Sequence, residues 1–201
     1  MDKCVFVHTN EKQWLGALVA EYSFRRNSTN PDAFGPEEVA RARHLTDRAA
    51  LAFSNVERME ELSHLNLGAL QALARTIDAS SPWTAGHSER VTRIAVALGK
   101  TMGVSEAQED LLRRGGLLHD IGKIGVPVEV LNKPGKLTPE EFDLVKEHVT
   151  VGARILEPIG AYSELLPIVL YHHERVDGRG YPRGLEGEQI PLLARILAVA
   201  D

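Results

Sequence analysis

Imidazoles and carboxylates in this chain fall where they could share a cation. Five of its eight histidines, His87, His119, His148, His172 and His173, stand on or beside apolar stretches. Asp120 directly follows His119, and Asp201 ends the run Ile196 to Ala200. The His119-Asp120 pair comes after Gly115-Gly116-Leu117-Leu118. Burying such a pair without a partner costs on the order of several kcal/mol, and a bound metal ion removes that cost. His172-His173 closes the apolar stretch Leu165 to Tyr171. His87 alone reads more readily as a core histidine than as a ligand, on an expected inner face of His87, Val91, Ile94 and Leu98. Taken together, the seven residues make a poor core and a good metal cage. Imidazole and carboxylate suit Mn, Fe or Zn, and no thiolate is present to select a structural zinc. The number of ligands suits two ions sharing a bridging carboxylate, an arrangement that clamps the attacking and leaving oxygens of a phosphate ester.

Two further features point to a phosphate. Lys123, in His119-Asp120-Ile121-Gly122-Lys123, is placed to reach the same site and hold a phosphate oxygen. The stretch from His172 to Gly184 then packs three glycines, Pro182 and Tyr181 into a tight loop. Arg175, Arg179 and Arg183 give it local positive charge. The loop is either a plain surface turn or a nucleotide clamp of stacking tyrosine and guanidinium groups.

These residues need helices to hold them. Ser81 followed by Pro82 predicts a helix start. Ser105 with Gln108, and Thr138 with Glu141 behind Pro139, are capping boxes. His148 is expected on the helix that Thr138 caps, and Val126 to Lys136 as a loop. Helix following helix from residue 81 onward implies an all-α bundle. Upstream, Pro36 opens a long helix. Its seam runs Leu45, Ala49, Ala52, Val56, Met59, Ser63, Asn66, Leu70, Leu73 and Ile77. That heptad spacing predicts either a parallel dimer linker or packing on the chain's own domains. Cys4 to Phe24 reads as two short strands and Arg25 to Gly35 as a loop.

Bulk properties exclude several classes. The formal net charge of -5 offers no general pull toward nucleic acid or membrane. Cys4 is the single cysteine, so no intrachain disulfide forms. No apolar run reaches membrane-spanning length and the N-terminus lacks a signal-peptide core, so the expected compartment is the cytoplasm.

His119-Asp120, with His87 before it and Asp201 after it, resembles the HD phosphohydrolase superfamily. The patterns HDIGKIGVP, NKPGKLTPEE, HHERVDGRGYP and IPLLARILAVAD resemble its HD-GYP subfamily, over Leu73 to Asp201. The resemblance implies hydrolysis of cyclic di-GMP to pGpG or on to GMP, with two or three metals, usually iron or manganese. By position, it implies His87, His119, Asp120 and Asp201 at one metal. His148, His172 and His173 would serve the second, with Asp120 bridging. Lys123 would meet the scissile phosphate, and Gly180-Tyr181-Pro182, the naming motif, would lie near substrate with Arg175, Arg179 and Arg183. Some members carry a glutamate where this chain has Trp83, which implies two metals here and not three. The family continues past its final aspartate, so the chain is expected to be truncated at Asp201. A non-catalytic cyclic-dinucleotide receptor, or a hydrolase of another cyclic dinucleotide, stands as the alternative.

The N-terminal part resembles, more weakly, the end of a GAF sensor domain. Trp14-Leu15-Gly16-Ala17-Leu18 fits a late strand, and Phe34 to Glu38 through Asn55 to Arg58 its closing helix. The expected fold is mainly α: a small α/β GAF-like remnant over residues 1–60, a linker helix over 61–78, and a helical HD bundle over 79–201. The expected partners are cyclic di-GMP and a second copy joined through the linker helix, with no nucleic-acid polymer and no membrane insertion.

Overall fold

A computed structural model describes residues 36–81 and 84–201. The expected strands between Cys4 and Phe24, and Pro82 and Trp83, lie outside the described residues. The chain divides into two units at His64–Leu65, and helix α1 (Pro36–Asp78) runs across that division.

In the first unit, Leu45, Val56 and Met59 of the heptad seam are all exposed, Met59 at 71%. In the second unit the end of α1 joins the core through Leu70 and Ala74, with Leu67 packed against it. Leu73, a seam position, is exposed instead. Self-packing therefore takes the last turns of α1, on a face that keeps Leu70 of the heptad seam but uses Leu67 and Ala74 in place of Asn66 and Leu73.

The rest of the second unit is helical, and among the described residues strand pairing is confined to one bridge, Asp177 with Glu186. Helix α2 (His87–Met102) packs on α3 (Glu106–Leu118) and on α8 (Leu192–Ala200). After a 3-10 turn at Ile121–Gly125 come the one-turn α4 (Val128–Leu131), α5 (Pro139–Lys146), α6 (His148–Leu156) and α7 (Leu166–Tyr171). Leu112, Leu118, Leu165, Ile168 and Leu197 fill the core between them. No described helix is long and apolar enough to cross a membrane.

Both capping boxes form as the sequence predicts. Gln108 N–H donates to Ser105 Oγ and Ser105 N–H to Gln108 Oε1. Glu141 N–H donates to Thr138 Oγ1 and Thr138 N–H to Glu141 Oε2. Four local expectations are corrected. Helix α2 starts at His87 and not near Ser81, because its N-cap Gly86 takes a left-handed φ of 65° that a helix cannot include. Its buried face is Ser88, Val91, Thr92, Ala95 and Gly99, with Ile94 45% exposed, since these smaller side chains let α3 approach. His148 opens a separate helix, α6, after a break at Glu147. The Val126–Lys136 loop contains the single turn of α4, N-capped by Pro127. The 3-10 turn lies directly on the backbone of α6: a Cβ on Gly122 would overlap His148 O and approach Gly152 N to 2.5 Å.

Candidate metal centre

Helix ends supply the site. His87 is the first residue of α2 and His119 follows α3. His148 opens α6, His172 and His173 follow α7, and Asp201 follows α8. A terminus frees a side chain from its own helix while the apolar face behind it stays anchored in the core.

Three of the imidazoles are oriented in the same way. His119 Nδ1 lies 2.7 Å from Gly116 O, His148 Nδ1 2.6 Å from Val145 O, and His172 Nδ1 2.8 Å from Val169 O. A carbonyl only accepts, so each Nδ1 carries hydrogen and each Nε2 faces the site. In metal-binding histidines the same bond from one ring nitrogen to a carbonyl fixes the tautomer and aims the other nitrogen at the ion.

The inward atoms form two groups around one carboxylate. His87 Nε2 is 2.9 Å and His119 Nε2 3.5 Å from Asp201 Oδ1. His148, His172 and His173 form the other group, and the ligand atoms within each group lie within 4.8 Å of one another. Asp120 stands between them. Its Oδ2 is 3.3 Å from His119 Nε2 and 3.8 Å from His87 Nε2, and its Oδ1 is 3.5 Å from His148 Nε2. One carboxylate thus turns an oxygen toward each group.

The protonation states differ between the groups. Burial disfavours charge on His119, but Asp120 and Asp201 outweigh it and raise its pKa to about 10. Burial works against the Asp201 carboxylate as well, yet His119 and His87 hold it well below the usual carboxylate range. Asp120 is likewise held low against burial, by His119 and Lys123. In the second group burial prevails: His148 and His172 are pushed down, and His173 falls to about 4.

The donor set fits divalent cations. Asp120 Oδ1 is buried without a hydrogen-bond partner, and His119 Nε2 makes no hydrogen bond of good geometry, only the charge contacts to Asp120 and Asp201. An unpaired buried atom such as Asp120 Oδ1 costs about 1–3 kcal/mol if left so. His148 Nε2 and His172 Nε2 face each other at 3.4 Å. With both Nδ1 atoms protonated and both rings neutral, two lone pairs are opposed there, and a cation between them removes the conflict.

Lys123 Nζ donates to Asp120 Oδ2 at 2.6 Å. It also lines a cavity of about 320 Å³ with Ser80, Ser81, Thr84 and Lys133. The loop after α7 folds back on the second group. Tyr181 packs on the His173 ring at 4.8 Å between centroids and on His148 at 6.4 Å. The Tyr181–Pro182 peptide bond is cis. Burial, then Asp120 and Asp201, raise the Tyr181 pKa above its ordinary value. Gly180 lies so close to the backbone of Glu174 and Arg175 that a Cβ would overlap both.

The arginines are not drawn into the cage. The Arg175 guanidinium makes a bidentate pair with Asp177, at 3.0 and 2.8 Å. Arg179 and Arg183 are exposed, as is Pro182. Glu174 is a residue that the sequence reading missed. It is 4% exposed, and its two oxygens accept from Arg183 N–H at 2.6 Å and Leu185 N–H at 2.9 Å. The available signal was a carboxylate next to the His172-His173 pair in an arginine-rich loop.

A family model described as the HD domain matches residues 71–201. The chain belongs to the HD domain family. Within that family, the chain is 39% identical over 165 residues to the cyclic di-GMP phosphodiesterase response regulator RpfG of Xanthomonas campestris pv. campestris, covering 80% of this chain and 42% of that protein. It is 48% identical over 119 residues to a cyclic di-GMP phosphodiesterase of Thermotoga maritima, covering 57% and 32%. It is 43% identical over 130 residues to 3'3'-cGAMP-specific phosphodiesterase 3 of Vibrio cholerae, covering 65% and 28%. The chain spans less than half the length of these relatives. The matched HD domain contains His87, His119, Asp120, His148, His172, His173, Lys123 and Asp201.

Proposed function

We propose that this chain carries the two-metal centre of a phosphodiesterase for cyclic dinucleotides, with cyclic di-GMP as substrate and pGpG as first product. The observation that carries the reading is Asp120, set between two ligand groups with one oxygen toward each. His87, His119 and Asp201 would hold one ion and His148, His172 and His173 the other. Iron or manganese suits these nitrogen and oxygen donors. When bound, the pair supplies a hydroxide near neutral pH and positive charge against the phosphate.

The chain's own residues do the rest. Lys123 is within reach of a phosphate oxygen beside Asp120 and stabilises its developing charge. The cavity beside Lys123 offers room for part of a dinucleotide, since small-molecule sites begin at about 300 Å³. Tyr181 covers the second group and shields it from bulk water. The relatives' names favour cyclic di-GMP, and 3'3'-cGAMP is the second candidate because a Vibrio cholerae relative is specific for it. A GAF-like segment upstream, and a dimer formed through the exposed seam of α1, complete the proposal. Light scattering that finds a monomer at micromolar concentration would remove the dimer.

The deciding experiment measures metal content and nucleotide products for the wild-type chain and for Asp120→Ala. The wild type should bind two ions and linearise cyclic di-GMP. The variant should lose both ions and turnover, by on the order of a thousandfold or more as the hydroxide is lost. Hydrolysis retained in Asp120→Ala would sink the mechanism. Nucleotide binding without turnover in the metal-loaded wild type would make the chain a receptor.

A further inference from the structure

One buried carboxylate lies outside the chemistry above. Asp78 is the last residue of α1 and is 3% exposed. Its Oδ1 accepts from Ser88 Oγ at 2.7 Å and its Oδ2 from Ser88 N–H at 3.1 Å. Ser88 directly follows His87 and is 1% exposed. The N-cap residue of α2 is Gly86, which has no side chain to offer. Asp78 therefore caps α2 from another helix and satisfies a first-turn N–H that would otherwise lack a partner. Its negative charge also suits the positive end of the helix dipole.

A buried line of contacts continues from Ser88. Ser88 O accepts from Thr92 Oγ1 at 2.7 Å. Thr92 lies against Gly116, where an added Cβ would come within 2.6 Å of its hydroxyl. Gly116 O accepts from His119 Nδ1 at 2.7 Å. His87 and His119 both rest on this line, whereas His148 and His172 rest on the carbonyls of Val145 and Val169. The junction is fastened further by Thr84 Oγ1, which donates to Asp78 O at 2.7 Å, and by Arg75, which pairs with Glu89 at 2.7 Å.

We propose that Asp78 is a positioning residue for the first ligand group: it fixes the opening turn of α2, and with it the place of His87 opposite Asp201. The end of the linker helix is thereby joined to one half of the metal centre and not to the other. The proposal rests on the two-metal reading.

The test is manganese titration of the full chain, together with histidine ring NMR of the metal-free protein. Asp78→Ala should weaken one of two manganese ions by about 10- to 100-fold, the range for residues that orient ligands. The other ion should keep its wild-type affinity. The His87 ring resonances should move while those of His172 and His173 stay. In a His87→Ala background, Asp78→Ala should cost nothing further. Asp78→Asn, which keeps one acceptor, should recover part of the loss. Should Asp78→Ala fail to fold, Ser88→Ala removes the hydroxyl donor alone and should show a smaller loss at the same ion. Unchanged manganese affinity with unmoved His87 resonances would overturn the proposal. So would equal weakening of both ions, with the ion that remains in the His87→Ala background weakened again by Asp78→Ala, since that marks general destabilisation. A wild-type chain that takes up no manganese would instead sink the metal reading itself.

Discussion

The two ligand groups on either side of Asp120 are built on different electrostatics. The group of His87, His119 and Asp201 is charged: its buried imidazole stays protonated up to about pH 10 because two carboxylates face it. The group of His148, His172 and His173 is all imidazole, and burial keeps its members neutral. A cation entering the first group must displace a proton. A cation entering the second finds lone pairs already exposed. Similar ligand residues therefore present two different binding problems, and the difference comes from where the carboxylates lie.

Removing a ligand from each side should separate the groups most strongly. His172→Ala and His87→Ala should each lose one ion of two and lower turnover by at least about a hundredfold, because both ions serve the same displacement. Metal analysis showing both ions lost from either variant would mean a single cooperative site, and the comparison would fail.

Proton release is the next test. At pH 7.5 the first ion should release about one proton, from His119, and the second none. Calorimetry in two buffers of different ionisation enthalpy reads this directly. The metal-free chain should show the same contrast in stability. The His119 pKa is raised on folding, so its contribution is full below about pH 6.5 and is lost as pH rises through about 10. The His173 pKa is lowered to about 4, so stability falls as pH drops from about 6.5 toward that value. Urea midpoints across pH should fall on both sides, and His119→Asn should flatten the alkaline limb far more than the acid one, where His119 acts only through its neighbours.

A smaller effect is expected at Tyr181, whose ring lies on His173 and His148. Tyr181→Ala should weaken the second ion by about tenfold and spare the first, as loss of a supporting residue does. Tyr181→Phe keeps the ring and should bind metal like the wild type. Equal losses in both variants would assign the role to the hydroxyl.

Much of this was legible in residue types. A buried His119-Asp120 step has few explanations other than a cation, and the capping boxes at Ser105 and Thr138 are local, so neighbours in sequence suffice to specify them. Asp78 was not legible, and Glu174 only by its place beside His172-His173, because a carboxylate looks alike in sequence whether it is solvated or bonded to a distant N–H. Arg175 looked available to an anion, yet it is paired to Asp177. The break at Glu147 was equally hidden, since Glu147 is an ordinary helix former and only the approach of Gly122 to α6 shows how closely the two segments meet.

The sequence by itself determined the residue types at the candidate site, the helical character and the capping boxes at Ser105 and Thr138, because each depends on residues within a turn or two of one another. Tertiary structure decided which candidate ligands stand together, which oxygen of Asp120 faces which group, and which imidazoles keep a proton. Those properties depend on distances of 3 to 4 Å between residues far apart in the chain and on their joint removal from water.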